Sequence, residues 1–249
     1  MTELEKPDAG LPSDAAGRAA KEAAFLSGVT IRAKQDLIDA VRTFGIVPLF
    51  ANSIPGFSVE EHVSPEVWFS DENEGVWEWK GPVIRESGCA YGKFFEKKAA
   101  FISVEWFPDF ANCRRDGYDF DARWDEGLAP HGDKFLYDLI ERHGPVLSKQ
   151  LKRLGEYGKN GRKGFDTAIN RLQAQGYVVI SDFVYEQDNL GRTYGWGVAE
   201  YVTPEKLFGE RFADAVYRRE PEESRARLLA QLGALLPDAE ESALERFLR

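Results

Sequence analysis

The chain has 249 residues, of which 43% are hydrophobic, and it carries a formal net charge of −10 at pH 7. This composition allows a sizeable packed core in one large or two small domains. Its pI near 5.0 argues against a general nucleic-acid coat protein, and no apolar run approaches the roughly 18 residues that a membrane span needs. The acidic N-terminus lacks the apolar region of a signal peptide, so a cytoplasmic protein without a membrane partner is predicted.

The cysteines and histidines indicate no metal site. Cys89 and Cys113 are isolated in the sequence, and two reduced, partly buried thiols are favoured over a disulfide between them. His62, His131 and His143 occur singly, without the spacing of a zinc site. No GxGxxG turn or GxxxxGK[ST] loop is present, so neither ATP nor NAD is expected, and no cofactor is predicted.

The predicted elements begin after a polar, alanine-rich tail at residues 1–30, in which one helix from Ser13 to Leu26 is a further expectation. Residues 33–44 carry apolar side chains at helical spacing and are followed by Gly45, which predicts a helix that stops there. The prolines of "IVPLFANSIPGFSVEEHV" then predict irregular chain around a short helix.

Residues 31–130 are predicted to form an aromatic-rich α+β region. The stretch from Phe57 to Trp124 holds 15 aromatic residues, including five of the six tryptophans. Within it, "CAYGKFFEKKAAFIS" predicts two short strands around a turn at residues 96–98. The following segment predicts helical turns that break near Gly117.

The pattern changes after Pro130. A first helix carries Phe135, Leu136, Leu139 and Ile140 on one face, and a second is predicted to be capped by Ser148 and to carry Leu151 and Leu154. A third helix has an i, i+3, i+4, i+7 stripe. The stripe consists of Phe165, Ala168, Ile169 and Leu172.

A hairpin with its tip at residues 188–191 follows these helices. Three helices and a hairpin within about 70 residues are typical of a winged helix, predicted at residues 131–205. Residues 206–249 carry a leucine stripe and predict a helical C-terminal tail in which Pro237 separates a last short helix. The predicted fold class is therefore α+β, with a winged helix of three helices plus a β-hairpin wing joined to the aromatic-rich region and this tail.

The segment from His143 to Gln175 is locally basic in an acidic chain. It holds seven cations and two anions, a net charge of +5 that leaves −15 for the rest of the chain. In a helix-turn-helix the second helix of the pair enters the major groove and its neighbours contact phosphates. The residues predicted to contact DNA are Lys149, Lys152, Arg153, Lys159, Arg162, Lys163, Asn170, Arg171 and Arg192.

The predicted roles of these residues differ. Asn170 and Arg171 can form paired hydrogen bonds with base edges, and Arg192 lies at the wing tip, where it can reach a minor groove. The remaining cations are assigned to phosphates, and the glycines of "GEYGKNGRKG" allow the loop amides to approach a backbone closely. The alternative is a solvated face, or a winged helix that binds another protein.

The aromatic region offers a second candidate site. Its residues are Trp77, Trp79, Arg85, Trp106, Asp109, Arg114 and Arg115. They predict either a pocket that stacks a base, with an arginine on a phosphate, or an ordinary aromatic core. Glu105 and Asp109, four residues apart on an expected helix, fit general acid–base work or ion pairs, and the ion pairs are favoured. No catalytic residue is assigned.

Three stretches carry a family resemblance: "VWEWKGPVIRESGCAYGKFFEKKAAFISVEWFPDFANCRRDGYDFD", "GPVLSKQLKRL" and "YGWGVAEY". They resemble a group of bacterial proteins described as related to the AlkZ (YcaQ-like) winged-helix DNA glycosylases, over about Thr43 to Phe208. The resemblance implies winged helices, nucleic-acid binding and, for the glycosylases, metal-free excision of damaged bases through a Gln-x-Gln or Gln-x-Asp pair. The single QxQ of this sequence is Gln173-Ala174-Gln175, at the end of the predicted third helix, so the catalytic role is not carried over to it.

Three functions follow as hypotheses. The leading one is a nucleic-acid-binding protein, with duplex DNA as its partner, linked to damage repair or base recognition; if it is an enzyme, it is a glycosylase-like hydrolase. The second is a ligand-responsive transcriptional regulator with an apolar pocket, which would commonly form a homodimer. The third is a non-enzymatic interaction module whose basic face binds an acidic partner.

Overall fold

A computed structural model describes Phe25 and residues 30–69, 74–187 and 193–249, without the side chains of residues 186–187 and 193–196. Apart from Phe25, the helix expected at residues 13–26 lies outside this part of the chain, as does the hairpin tip. The described residues form an α+β fold in which helices surround two three-stranded antiparallel sheets. The predicted fold class is thus confirmed at this level.

The first helix, α1 (Lys34–Phe44), buries Leu37, Ile38 and Val41, as its spacing predicts, and ends at Gly45. Gly45 has a φ of 76°, and a Cβ there would lie 2.3 Å from the Trp106 ring, so glycine is required. The next stretch departs from the prediction only at β1 (Ile46–Pro48), which pairs with a strand more than 50 residues away; residues 49–63 are irregular around a short 3-10 helix, as predicted. Local sequence patterns cannot predict this pairing of β1, because its partner strand is so distant in the sequence.

The first sheet has the order β1-β3-β2, with β2 at Ala90–Phe95 and β3 at Lys98–Ile102. Its register places both Ile46 and Ala90 opposite Ile102. Glu96 and Lys97 form the turn with positive φ, as the sequence predicts for this hairpin. The helices around this sheet are α2 (Pro65–Trp68), α3 (Val76–Ser87), α4 (Phe107–Arg115) and α5 (Phe120–Asp125), with a 3-10 turn at Glu60–His62.

The second sheet has the order β4-β6-β5. Its elements follow in the order α6 (His131–His143), β4 (Val146–Leu147), α7 (Ser148–Leu154), α8 (Phe165–Ala174), β5 (Val179–Gln187) and β6 (Thr193–Val202). The predicted stripe of α8 is buried throughout.

One prediction for α7 is wrong, that of a Ser148 cap. Ser148 is the first helical residue, while the N-cap is Leu147, which makes no side-chain capping bond. The helix carries Leu151 and Leu154 as predicted; Leu151 is buried, whereas Leu154, the last helical residue, is 43% exposed.

The C-terminal helices pack against the aromatic region. They are α9 (Pro204–Phe208), α10 (Glu210–Val216), α11 (Pro221–Leu235) and α12 (Glu241–Phe247). Helix α11 lies along α4, and the Phe247 ring of α12 stacks on Phe95 at 4.4 Å. The segment predicted as a tail therefore contributes directly to the core.

The two sheets share one hydrophobic core. Tyr91 of β2 meets Phe183 of β5 with ring centroids 5.7 Å apart, and the backbone N–H of Lys93 donates to Gln173 of α8 at 3.1 Å. These contacts fix α8 and the β5–β6 hairpin against the aromatic region. Within the described ranges, no helix combines the length and apolarity that crossing a membrane requires.

Candidate nucleic-acid interface

Helix α8 is amphipathic, with one apolar face and one polar face. Its stripe is buried in the core, while Asp166, Thr167 and Arg171 are exposed and Asn170 is half-buried. These four polar residues and Ala174 line a groove of about 470 Å³. The separation follows from the helical period of the apolar residues, and it leaves side chains with hydrogen-bonding groups facing solvent.

Lys97 forms the other side of this groove. It lies in the β2–β3 turn, with a φ of 62° and an exposed side chain. Sequence reasoning predicted the turn but missed its position beside α8, because no local pattern reports which turn meets which helix. The charge of Lys97 itself was the one available signal.

Helix α7 places cations at the N-terminal end of α8. Lys149, Lys152 and Arg153 are exposed. The Lys152 ammonium lies 3.7 Å from the Asp166 carboxylate and 4.7 Å from the centroid of the Phe165 ring. Because Phe165 begins α8, this contact locates the α7 cations next to the groove.

The loop between α7 and α8 is compact and basic. A Cβ at Gly161 would lie 2.0 Å from the Glu156 carbonyl oxygen, so only glycine fits there. Lys163 donates from Nζ to the carbonyls of Gly158 at 2.6 Å and Lys159 at 2.5 Å. The Arg162 guanidinium lies 3.7 Å from the centroid of the Phe135 ring. Two predicted DNA contacts thus also stabilise the loop.

Arg171 is bound on the outer face of α8. Its Nε and Nη2 donate to the two carboxylate oxygens of Asp133 at 2.5 and 2.8 Å. Asp133 is 1% exposed, whereas the Arg171 side chain is 41% exposed. The paired bonds fix the plane of the guanidinium, so Arg171 presents a pre-oriented edge instead of a free one.

Seven of the nine predicted DNA contacts fall into three groups; of the other two, Lys149 is exposed and Asn170 is half-buried in the groove. Arg153 and Lys159 are exposed, and their side chains make no hydrogen bond, ion pair or ring contact with another described residue. Lys152, Arg162, Lys163 and Arg171 are exposed but also hold neighbouring groups. Arg192 lies outside the residues that the structure describes.

The predicted aromatic pocket does not form as one site. Trp77, Trp79 and Arg85 lie on α3, against β5. Trp77 packs edge-on against Phe50 and Trp68, both at 6.0 Å, and Trp79 is 8% exposed.

Arg85 forms an ion pair with Asp182 of β5, so its charge is neutralised at this contact. These three residues support the core interpretation and the attachment of β5.

Lys80 of α3 is an unusual member of this cluster, because it is only 7% exposed. Its ammonium lies 4.2 Å from the Trp77 ring centroid and 4.5 Å from that of Phe183. Burial lowers the pKa of Lys80 from its usual value near 10.5 to about 8, while the negative charge of Glu78 partly opposes this.

We expect Lys80 to make stability rise with pH. Its folded pKa lies below its unfolded pKa, so between about pH 8 and 10.5 the unfolded chain binds more protons and stability increases. Relative to Lys80→Met, the wild-type unfolding free energy should rise by about 1–2 kcal/mol from pH 7 to 9.5. Urea unfolding at both pH values measures this difference.

The exposed Lys93→Met variant is the matched control and should show no such change relative to wild type. An equal Lys80→Met effect at both pH values would contradict a lowered pKa. Deprotonation of tyrosines affects all three proteins and therefore cancels in the comparison.

The other predicted pocket residues lie on or beside α4. Asp109 is 3% exposed and accepts hydrogen bonds from Arg227 Nε at 2.9 Å and Ser224 Oγ at 3.0 Å. This confirms the ion-pair interpretation of Asp109. Glu105 precedes α4 and is exposed, so the expectation that the two carboxylates share a helix face is wrong. Trp106 is half-buried below Arg227, at 5.4 Å.

The two neighbouring arginines at the end of α4 face into the protein. Arg114 donates to the Phe94 carbonyl at 3.2 Å and lies over Phe110 at 5.5 Å; burial lowers its pKa to about 10. Arg115 is 1% exposed and donates to Glu205 at 2.7 Å. The interpretation of Arg115 as a phosphate ligand is therefore wrong, because its donors are used inside the core.

Gln173, the first residue of the QxQ sequence, has a structural role. Gln173 is 1% exposed; its amide donates to the Ile169 carbonyl at 3.2 Å and its carbonyl accepts from Lys93. It thus joins α8 to β2 and faces no open cavity. In the described parts of the chain, no three His, Cys, Asp or Glu side chains lie close enough to hold a metal ion.

Comparison with protein-family models finds a match over most of the chain. The model of a family described as AlkZ related matches residues 31–249. Neither the curated proteins nor the solved structures contain a match to the chain. The match covers every described helix and strand, from α1 to α12.

Proposed function

The chain belongs to the AlkZ-related family, and we propose that it is a winged-helix protein that binds duplex DNA in connection with DNA repair. The order of α6, β4, α7, α8 and the β5–β6 hairpin supports this proposal. The short strand β4 pairs with β6, which pairs with β5. In the proposed unit, α7 and α8 form the helix-turn-helix and the hairpin forms the wing.

The observation that carries the proposal is the outward face of α8. It presents Asn170 and the fixed Arg171 in a groove whose other side is Lys97. In a helix-turn-helix this face contacts base edges. Asn pairs with adenine and Arg with guanine through two hydrogen bonds each, and the Asp133 contact leaves the Nη1 group of Arg171 free of Asp133.

Charge distribution supports the same orientation. The cations of the segment from residue 143 to 175 give it a net charge of +5 in a chain of net charge −10. A duplex is attracted to this basic face and repelled by the acidic remainder, so the charges orient the encounter. Lys97 adds a phosphate contact from outside the proposed unit.

No catalytic step is included in the proposed function. Gln173 is buried and bonded at both ends of its amide, so it has no free group with which to position a water molecule. The family relationship supports repair-linked DNA binding, and base excision needs a residue set that this chain does not present in the described regions.

Fluorescence anisotropy with labelled duplex and single-stranded DNA tests the proposal. If about five cations neutralise phosphates, the logarithm of the binding constant should fall with the logarithm of salt concentration at a slope of about −4 to −5. Duplex should bind more tightly than single strands, because α8 fits a major groove. Absence of binding at low salt would contradict the proposed function.

A charge-matched pair of variants locates the interface. Arg153→Glu/Lys159→Glu changes two exposed side chains that make no hydrogen bond, ion pair or ring contact with another described residue, so the fold should be preserved. Affinity for duplex should fall at least tenfold at about 0.1 M salt, and the slope should become shallower by about 2. Arg32→Glu/Arg218→Glu makes the same change in net charge at two other exposed arginines. Equal loss in both variants would show that only total charge matters.

A further inference from the structure

A cavity of about 400 Å³ lies away from the basic face, between α4, α10 and α11. This volume is within the range of small-molecule sites. Its walls combine aromatic rings with charged side chains. The lining residues that matter are Phe107, Phe208, Phe212, Arg211, Arg219 and Arg227, together with the carboxylates of Glu105 and Asp109.

Three phenylalanines form the apolar part of the cavity. The Phe107 and Phe212 rings are 5.5 Å apart and inclined by only 27°, and both residues are buried. Phe208 completes the group at 5.9 Å from Phe107. Phe107 and Phe212 are buried, so the half-buried Phe208 is the ring accessible from the cavity, and its face can accept another flat ring.

Asp109 fixes two guanidinium groups in the cavity wall. Arg227 Nε lies 2.9 Å and Arg219 Nη1 3.4 Å from its two carboxylate oxygens. Ser224 also donates to this carboxylate. The charge of Asp109 is therefore occupied within the protein, and its effect is to hold positive groups beside the phenylalanines.

Two of the lining arginines, Arg211 and Arg219, can still bind an anion. Arg211 is exposed and forms no ion pair with any residue that the structure describes. The other partner of Arg219 is Glu223, at 3.6 Å and with a side chain 61% exposed, so that pair is weak and readily displaced. Three lining arginines against two lining carboxylates leave the cavity one positive charge in excess.

We propose that this cavity binds a small aromatic monoanion. Its ring packs on Phe208, and its carboxylate bonds to Arg211 and Arg219. One negative charge neutralises the excess charge of the lining. The cavity shares no lining residue with the groove beside α8, so this proposal does not rest on DNA binding.

Ligand-observed NMR titration with 2-naphthoate tests the proposal, with the neutral 2-naphthamide as the matched probe. We expect 2-naphthoate to bind with a Kd of the order of 1 mM or tighter and 2-naphthamide to bind at least tenfold more weakly. Equal binding of the two probes, or no binding of 2-naphthoate at millimolar concentration, would overturn the proposal.

Two variants and one control test whether the probe binds in this cavity. Arg211→Gln should weaken 2-naphthoate at least fivefold, whereas Arg218→Gln, at an exposed arginine outside the cavity, should leave the Kd unchanged. Val104→Trp, at an exposed lining residue, should block binding by filling the mouth. Binding that survives both Arg211→Gln and Val104→Trp would place the probe elsewhere and refute the assignment.

Discussion

Replacing Arg115 by methionine should lower the free energy of unfolding by about 3–5 kcal/mol, because it removes one partner from a buried ionic network. Arg115 donates to Glu205 at 2.7 Å, to the Tyr217 hydroxyl at 2.8 Å and to the Gly176 carbonyl at 2.7 Å. Its guanidinium also lies 4.5 Å from the Tyr177 ring centroid. These contacts join α4 to α9, to the end of α8 and to the chain after α10.

The physical cost arises from what remains in the variant. The Gly176 carbonyl would be buried without its donor, and the Glu205 carboxylate would lose its partner while one of its oxygens, Oε2, is already buried without a hydrogen bond. Methionine fills a similar volume, so loss of packing is a small part of the effect.

Chemical and thermal unfolding measure the effect, and Arg114→Met is the matched control. A loss of 3–5 kcal/mol should lower Tm by about 10 °C in a chain of this size. Arg114 makes one long hydrogen bond, and its Nε is buried without a partner, so its replacement should change stability by about 1 kcal/mol or less. The double variant Arg115→Met/Glu205→Gln should cost less than Arg115→Met alone. Similar values for Arg114→Met and Arg115→Met would contradict the network.

Local patterns predicted the elements that depend on neighbouring residues. The spacing of Leu37, Ile38 and Val41 gave α1, and Gly45 gave its end. Local patterns also predicted the α8 stripe and the β5–β6 hairpin. In each, the spacing of apolar residues along the segment indicates which face is buried.

Distant pairing explains what the sequence did not reveal. Strand β1 exists because Ile46 pairs with Ile102. Arg115 was predicted as a possible phosphate ligand because arginine is seldom fully buried, and its partners lie 61 to 102 residues away. Lys97 and Arg171 also acquire their surroundings from remote segments. The candidate interface was therefore predictable as a basic segment, but its groove and its fixed arginine were not.

Asp133→Asn should cost about 2–3 kcal/mol and should also weaken duplex binding without changing its salt dependence. The variant retains one acceptor oxygen for Arg171 but replaces the other with an amide that opposes a donor. The pair is partly solvated on the Arg171 side, which keeps the cost below that of a fully buried pair. Urea unfolding of Asp133→Asn, Arg171→Met and the double variant measures the coupling between the two side chains.

The binding result separates a structural role of Arg171 from a role at the bases. If the Asp133 carboxylate aims Arg171 at a base edge, Asp133→Asn should reduce duplex affinity about threefold to tenfold, part of the value of a bidentate base contact. The salt slope should stay constant because no phosphate contact is lost. Unchanged affinity in the folded variant would limit Arg171 to holding α8 on α6. A shallower slope would instead place its guanidinium on a phosphate and leave Asn170 as the residue that reads the base edge.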